Sequence, residues 1–461
     1  MRYGRLDIFV ALCMGAWLLQ ANIGCLSEQS FRMQARDRRR LADTTWAEGV
    51  DAGDTRAWLR SVHGQLADLL PAARHAALLT ENLTDATGRP VDVFEHFHIN
   101  SDRLRTLLGN FDGLRCTAQC ASQDSHIDAP AEAWPGFEQV WIPLEPGLSL
   151  SGRLGLATDV QGRPQQADCI VILPGFFGDN GVRRTRDLAR FLRESGQHVL
   201  ALELRGHGQT EAVYPRKAYS FGVVETDDLM RVSDWLTERP EVERTGLVGF
   251  CWGANNALLA AWYDGRSEPD PSISRTIAEH LPTRPGPRRF TAGIMAFSPI
   301  LRWEALEDEL DVPRSYWRDP VYAAIQQTVR SRMERKNYPE PGGSLRQLIE
   351  YESAASDLPL PHGTREGHDF LRLMPYRGKP AHDKLERART PVLIVHGSND
   401  PLSQAQDVAD FFADLSNRRV SGIILPGGGH VGFAAYAKRY HYSLIANFFD
   451  PQGGAAAFVG P

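Results

Sequence analysis

The sequence predicts an α/β protein built on a mostly parallel sheet covered by helices on both faces. Three observations carry this expectation. From Gly136 onward, short apolar runs alternate with amphipathic helical stretches. The runs at 169–173, 198–204, 245–249, 291–297, 392–395 and 420–425 are continuously apolar rather than alternating, as in strands buried on both faces. The segments at 183–194, 225–237, 252–263, 404–415 and 433–449 repeat apolar residues at helical spacing. Two further runs, 140–144 and 148–156, read as a hairpin that opens the domain.

The core is assigned to 136–300 and 385–450. About ninety residues separate the strand ending at Phe297 from the one starting at Val392, far more than an ordinary connection. The interval 301–384 holds helical patterns at 321–336 and 345–353 and is expected to form a cap or lid over the mouth of the sheet. Residues 26–135 read as a helical N-terminal extension. Trp58, Val62, Leu66, Leu69 and Leu70 make one apolar stripe that ends at Pro71, and Leu104, Leu107, Leu108 and Phe111 repeat the pattern. His96 and His98 flank Phe97 there and are read as structural, since a metal site needs more convergent ligands. The tail 451–461 is expected to be disordered.

A chain of 461 residues can bury a large core without covalent staples. Its formal net charge of -6 argues against a nucleic-acid partner, which calls for a basic excess. The cysteines, Cys13, Cys25, Cys116, Cys120, Cys169 and Cys251, are too sparse for a disulfide scaffold. Cys116 and Cys120 lie four apart, and two readings stay open: a disulfide in an oxidising compartment, or two free thiols.

Residues 1–25 read as a signal or lipoprotein-type leader. Arg2 and Arg5 precede an apolar run from Ile8 to Leu19, the length of a signal-peptide core and short for a bilayer span. Asn22-Ile23-Gly24-Cys25 resembles a lipoprotein cleavage site, with Cys25 as the candidate lipidated residue. Asn22 and Asp7 depart from that pattern. Export to the periplasmic side is the expectation, and membrane attachment through a lipidated N-terminus is one form it could take; a cytoplasmic chain with a buried N-terminal helix is the alternative. Arg32, Arg36, Arg38, Arg39 and Arg40 would then sit above the headgroups, or form an ordinary solvated linker.

The chemistry concentrates at Gly249-Phe250-Cys251-Trp252-Gly253, which follows an apolar strand and opens a helix. A nucleophile elbow needs this context, because so tight a turn forces the central side chain out at the top of the sheet and demands small residues two before and two after it. The helix N-terminus lowers the pKa of a thiol from about 8.5. Asp400, in His396-Gly397-Ser398-Asn399-Asp400-Pro401, follows the next strand but one. His430 lies in Gly427-Gly428-Gly429-His430-Val431-Gly432-Phe433, after the final strand. The order nucleophile, acid, base at three strand ends is that of α/β-hydrolases. Cys251 is therefore the candidate nucleophile, His430 the base and Asp400 the group that orients it. The loop Leu173-Pro174-Gly175-Phe176-Phe177-Gly178 is the candidate oxyanion loop, with the backbone N–H groups of Phe176 and Trp252 as donors. Gly175, Gly178 and Gly181 do not make a dinucleotide fingerprint, no zincin or P-loop motif occurs, and no metal or cofactor is expected. His207 and His396 are read as packing residues.

Together these segments resemble an α/β-hydrolase family of carboxylesterases and lipases, which includes predicted hydrolases of bacteria and plant embryogenesis-associated proteins. The resemblance runs from Leu173 to Phe433 and includes Arg205-Gly206-His207-Gly208, the stretch from Phe221 to Asp228, Gly253-Ala254-Asn255, Asp400-Pro401 and Gly429-His430-Val431-Gly432-Phe433. It implies the α/β-hydrolase fold and hydrolysis of a small-molecule carboxylic ester. The family usually carries serine at the position of Cys251 and histidine at that of Pro174, and lacks a counterpart of the N-terminal extension. Dienelactone hydrolases and polyhydroxyalkanoate synthases resemble this arrangement with cysteine at the elbow. Three functions follow: hydrolysis of an ester or thioester through an acyl-thioester, acyl transfer by the same triad, or binding by a fold that has lost catalysis. Oligomeric state is not legible.

Overall fold

The computed structural model describes residues 54–71, 76–120, 134–264, 287–355 and 382–449. The leader with Cys25, the arginines between 32 and 40, Cys13 and the tail 451–461 lie outside the described residues.

The strands are β1 (Leu78–Leu79), β2 (Glu138–Glu145), β3 (Leu148–Gly155), β4 (Ala167–Leu173), β5 (His198–Glu203), β6 (Val242–Phe250), β7 (Gly293–Phe297), β8 (Val392–Gly397) and β9 (Val420–Leu425). They form one nine-stranded sheet in the order β1-β9-β8-β7-β6-β4-β5-β3-β2. The block from β5 to β9 is parallel, and the β2–β3 hairpin joins it antiparallel through β3 and β5. Every residue of β4, β5, β7, β8 and β9 is buried, which is why these strands read as continuous apolar runs. β2 alternates along its length because one of its faces meets solvent.

The helices are α1 (Thr55–Leu66), α2 (Val93–Phe97), α3 (Phe111–Cys120), α4 (Arg183–Glu194), α5 (Gly208–Val213), α6 (Glu225–Thr237), α7 (Trp252–Asp264), α8 (Trp303–Asp311), α9 (Pro320–Arg335), α10 (Leu345–Ala355), α11 (His382–Glu386), α12 (Ala405–Ala413) and α13 (Phe433–Phe449). α7 is buried on all sides, as befits a central helix with no polar stripe. Among the described residues no helix is long and apolar enough to cross a membrane.

The N-terminal segment departs from its purely helical reading in two places. Leu78 and Leu79 pair antiparallel with Ile424 and Ile423, so the segment supplies the sheet with an edge strand. Thr80 reinforces this by exchanging hydrogen bonds with the Gly422 backbone at 2.8 and 3.1 Å. The stripe expected from Leu104 to Phe111 is not a helix. Asn110 accepts the N–H of Gly113 and caps a helix that starts only at Phe111, leaving Leu108 97% exposed. α1 does carry the stripe of Trp58, Val62 and Leu66, and Trp58 Nε1 donates to Asn447 of α13 at 3.2 Å.

α8, α9 and α10 of the 301–384 interval pack on one another and are tied to loops at the strand ends. Tyr322 donates to the Leu402 carbonyl at 3.3 Å. Arg332, 1% exposed, donates to the Gly206 carbonyl at 3.1 Å and to Glu211 and Glu352, each at 2.7 Å. Lys336 adds a second cation to both carboxylates, at 2.8 and 2.9 Å. Burial opposes ionisation of Glu352, but the Arg332 and Lys336 charges outweigh it and hold this carboxyl at about 2, below its ordinary 4.5. A carboxyl depressed in this way stabilises the fold fully above pH 4.5, and that contribution fades as the pH falls toward 2. Glu352→Gln is therefore expected to cost about 3 kcal/mol at pH 7, the scale of breaking a buried pair. In urea unfolding, its gap from the unsubstituted protein should close as the pH drops below 4.5; a gap independent of pH would rule out the ionic contribution.

Candidate active site

The strand order reverses at β4: β5 lies on one side of it and β6 on the other. Ligands bind at such a switch point, outside the carboxyl ends of the strands. The register sets Leu173 opposite Gly249, so the loop leaving β4 and the turn leaving β6 emerge side by side.

Cys251 occupies that turn with φ of +55°, a left-handed conformation that costs a non-glycine residue about 1–3 kcal/mol. Backbone pairing holds it there, since its N–H donates to the Phe297 carbonyl at 2.9 Å. The flanking glycines are dictated by contact. A Cβ on Gly249 would lie 2.2 Å from the Gly253 carbonyl oxygen, and one on Gly253 would lie 2.3 Å from that of Pro174. The side chain of Cys251 is nearly buried, at the N-terminus of α7.

The sequence-derived residues come together around this thiol. The backbone N–H groups of Phe176 and Trp252 and the His430 imidazole all face it. His430 Nδ1 lies 2.9 and 3.1 Å from the two carboxylate oxygens of Asp400. Asp400 Oδ1 also accepts the N–H groups of Leu402 and Ser403, each at 2.9 Å, which fixes the carboxylate plane. Nδ1 is thus committed to the carboxylate and Nε2 is left for the thiol.

Burial pushes the Cys251 thiol up, but the His430 charge and the two backbone N–H groups outweigh it and hold the thiol below its ordinary value. Burial likewise opposes the imidazolium, yet Asp400 and Cys251 raise His430 above its ordinary range. Asp400 stays below the ordinary carboxylate range: burial works against its charge, and His430 overcomes that. The arrangement supports a thiolate–imidazolium pair anchored by a carboxylate. By contrast Cys169, wholly buried in β4, is pushed up by burial.

His207 and His396 are packed. His207 Nδ1 meets the Arg205 carbonyl at 2.7 Å, its ring lies against Tyr219, and burial lowers it to about 4. His396 lies beneath the acid, with Nε2 2.9 Å from the Ser403 carbonyl and 3.5 Å from Asp400. His98 closes α2 in the left-handed conformation, and the His96 ring packs edge-on against Phe97. Among the described residues no group of three or more His, Cys, Asp or Glu converges to hold a metal ion.

Several supporting residues had no legible role in the sequence. Glu225 accepts from the N–H groups of Ser220 and Gly222 and from the Ser220 hydroxyl, fixing the turn at Phe221. Trp252 Nε1 donates to the Phe221 carbonyl at 3.0 Å, which ties that turn to the elbow. Ser298 accepts the Val431 N–H at 3.3 Å, and Thr117, from the N-terminal segment, accepts that of His430 at 2.8 Å. The run from Phe221 to Asp228 was the available signal for Glu225; Thr117 had none.

Comparison with known proteins agrees with this architecture. The model of the alpha/beta hydrolase family matches residues 170–440, more than half of the chain. No curated protein matches it in sequence. Solved structures with similar folds include the esterase Pf2001 of Pyrococcus furiosus, at 17% identity and a TM-score of 0.41, covering 68% of this chain and 92% of that one. Est1E of Butyrivibrio proteoclasticus, bound to ferulic acid, is 17% identical with a TM-score of 0.40, covering 68% and 99%. The hydrolase GrgF of Penicillium sp. sh18 is 16% identical with a TM-score of 0.44, covering 69% and 99%. The matched segment holds the switch point and the elbow, and the chain belongs to the alpha/beta hydrolase family.

Proposed function

We propose that this chain hydrolyses a small-molecule carboxylic ester or thioester through an acyl-thioester on Cys251, with His430 as base and acid and Asp400 as its anchor. The observation that carries the proposal is the convergence on one sulfur of two backbone N–H groups, from Phe176 and Trp252, and of an imidazole bonded to a buried carboxylate. The likeness to carboxylesterases and lipases along the loops of Cys251, Asp400 and His430 agrees with it.

In the first half-reaction the Cys251 thiolate attacks the substrate carbonyl carbon and the carbonyl π pair moves to oxygen. In this reading the backbone N–H groups of Phe176 and Trp252 hold that oxyanion. The tetrahedral species collapses, the bond to the leaving alcohol or thiol breaks, and His430 Nε2–H protonates the departing atom. In the second half-reaction a water gives its proton to Nε2 and adds to the thioester. Collapse then expels the thiolate, releases the acid and regenerates the ion pair. The Phe176 and Trp252 rings, from the loop after β4 and from the elbow, lie with centroids 6.3 Å apart, and such apolar surroundings favour an apolar acyl group.

Two measurements check this. Iodoacetamide should alkylate Cys251 well below the midpoint of a free thiol, about 8.5, and far faster than Cys169. Removing the cation while keeping the burial, as in His430→Gln, should move the midpoint above that of a free thiol; a midpoint that stays in place would sink the ion pair. On a panel of p-nitrophenyl esters, His430→Ala should lower kcat at least about a thousandfold with little change in KM. Unchanged turnover would remove His430 from the mechanism. Product analysis with added alcohol or amine acceptors separates hydrolysis from transfer, since a transferase would yield the new ester or amide in place of free acid.

A further inference from the structure

Helix α3 lies N-terminal to the 170–440 segment that matches the family, yet it packs directly on the loops of the acid and the base. Thr117 Oγ1 accepts the His430 N–H at 2.8 Å and donates to the Gly113 carbonyl at 2.7 Å, one turn earlier in its own helix. The fit leaves no room for side chains. A Cβ on Gly429 would fall 2.2 Å from the Gly113 carbonyl oxygen, and one on Gly432 would fall 2.4 Å from that of Cys116. Asn110, which caps the same helix, donates from Nδ2 to the Asn399 carbonyl at 2.7 Å. Asn399 Oδ1 in turn accepts the Gly429 N–H at 2.9 Å. A continuous hydrogen-bonded frame therefore runs from α3 through the residue before Asp400 to the residue before His430.

The base needs such a frame. His430 follows three glycines, and Gly428 and Gly429 hold φ of +126° and +55°. Glycines give the backbone this reach at a high entropic cost and do nothing to fix the ring. Nucleophile, base and acid sit on three separate loops, and a misplacement of about 1 Å in such a constellation costs on the order of a hundredfold in rate.

We infer that α3 is a positioning element for the catalytic pair: Thr117 fixes the backbone of His430, and Asn110, through Asn399, fixes the spacing between the acid and base loops. This rests on the triad reading given above. The N-terminal segment is then part of the working site and not merely a covering for the sheet edge.

The test compares Thr117→Val, which keeps the shape and removes the hydroxyl, with Thr117→Ser, which keeps the hydroxyl, in the full-length chain. Asn110→Asp serves as an independent variant, because it keeps the helix cap and removes the donor to Asn399. Each is assayed for kcat and KM on a p-nitrophenyl ester, for the pH profile of iodoacetamide labelling at Cys251, and for Tm. Thr117→Val and Asn110→Asp should lower kcat about 10- to 100-fold with KM within about twofold, on the scale of a displaced catalytic group. Their labelling profiles should move toward that of an ordinary thiol, and Thr117→Ser should restore both readouts. The inference is overturned if Thr117→Val keeps wild-type kcat and labelling, or if kcat falls only in step with Tm and Thr117→Ser restores nothing. Wild-type Cys251 labelling no faster than Cys169 would instead overturn the triad reading on which the inference stands.

Discussion

The pairing of β4 with β6 governs the rest of the molecule. Because Leu173 sits opposite Gly249, the loop that carries Phe176 and the turn that carries Cys251 leave the sheet together. The Phe176 N–H can reach the sulfur only from that position, and the Trp252 N–H reaches it because the next helix begins at once. The glycines at 249 and 253 follow from the same constraint, since the elbow is pressed against its own helix and against Pro174. Strand pairing, and not side-chain packing alone, holds Cys251 in its left-handed conformation.

Electrostatics then depends on that geometry. A buried thiol left to itself stays protonated, as Cys169 does within its strand. Cys251 differs because an imidazole, two N–H dipoles and a helix terminus face it, and because Asp400 pins the imidazole with the correct nitrogen outward. Each member corrects the burial cost of the next, so each loop must be held at a fixed distance from the others. That requirement gives meaning to the contacts of α3 with the His430 loop and to the buried ion cluster that ties α9 to the Gly206 turn.

What could be read from the sequence was what the chain encodes locally. Buried parallel strands announce themselves as continuous apolar runs, and the elbow is confined to five residues whose glycines are needed for steric reasons. Asp400 and His430 were legible because each follows such a run on a turn-rich loop. The N-terminal segment was read less well, for physical reasons. Leu78–Leu79 is a strand only because β9 offers an open edge to it. The apolar spacing of Leu104 to Phe111 resembles a helix, but the Asn110 cap starts the helix later and leaves Leu108 in solvent. Thr117 bonds His430 across 313 residues, and Arg332 bonds Glu211 across 121, separations at which one sequence carries no pairing signal.

The most direct test of the covalent mechanism is to catch the acyl group on the enzyme. The protein is mixed with a p-nitrophenyl ester, quenched in acid within the first turnover, and digested for peptide mass measurement. The peptide holding Cys251 should gain the mass of the acyl group, and Cys251→Ala should show neither the adduct nor turnover. Turnover without any adduct on that peptide, or a Cys251→Ala protein that hydrolyses the ester at the unsubstituted rate, would contradict the mechanism.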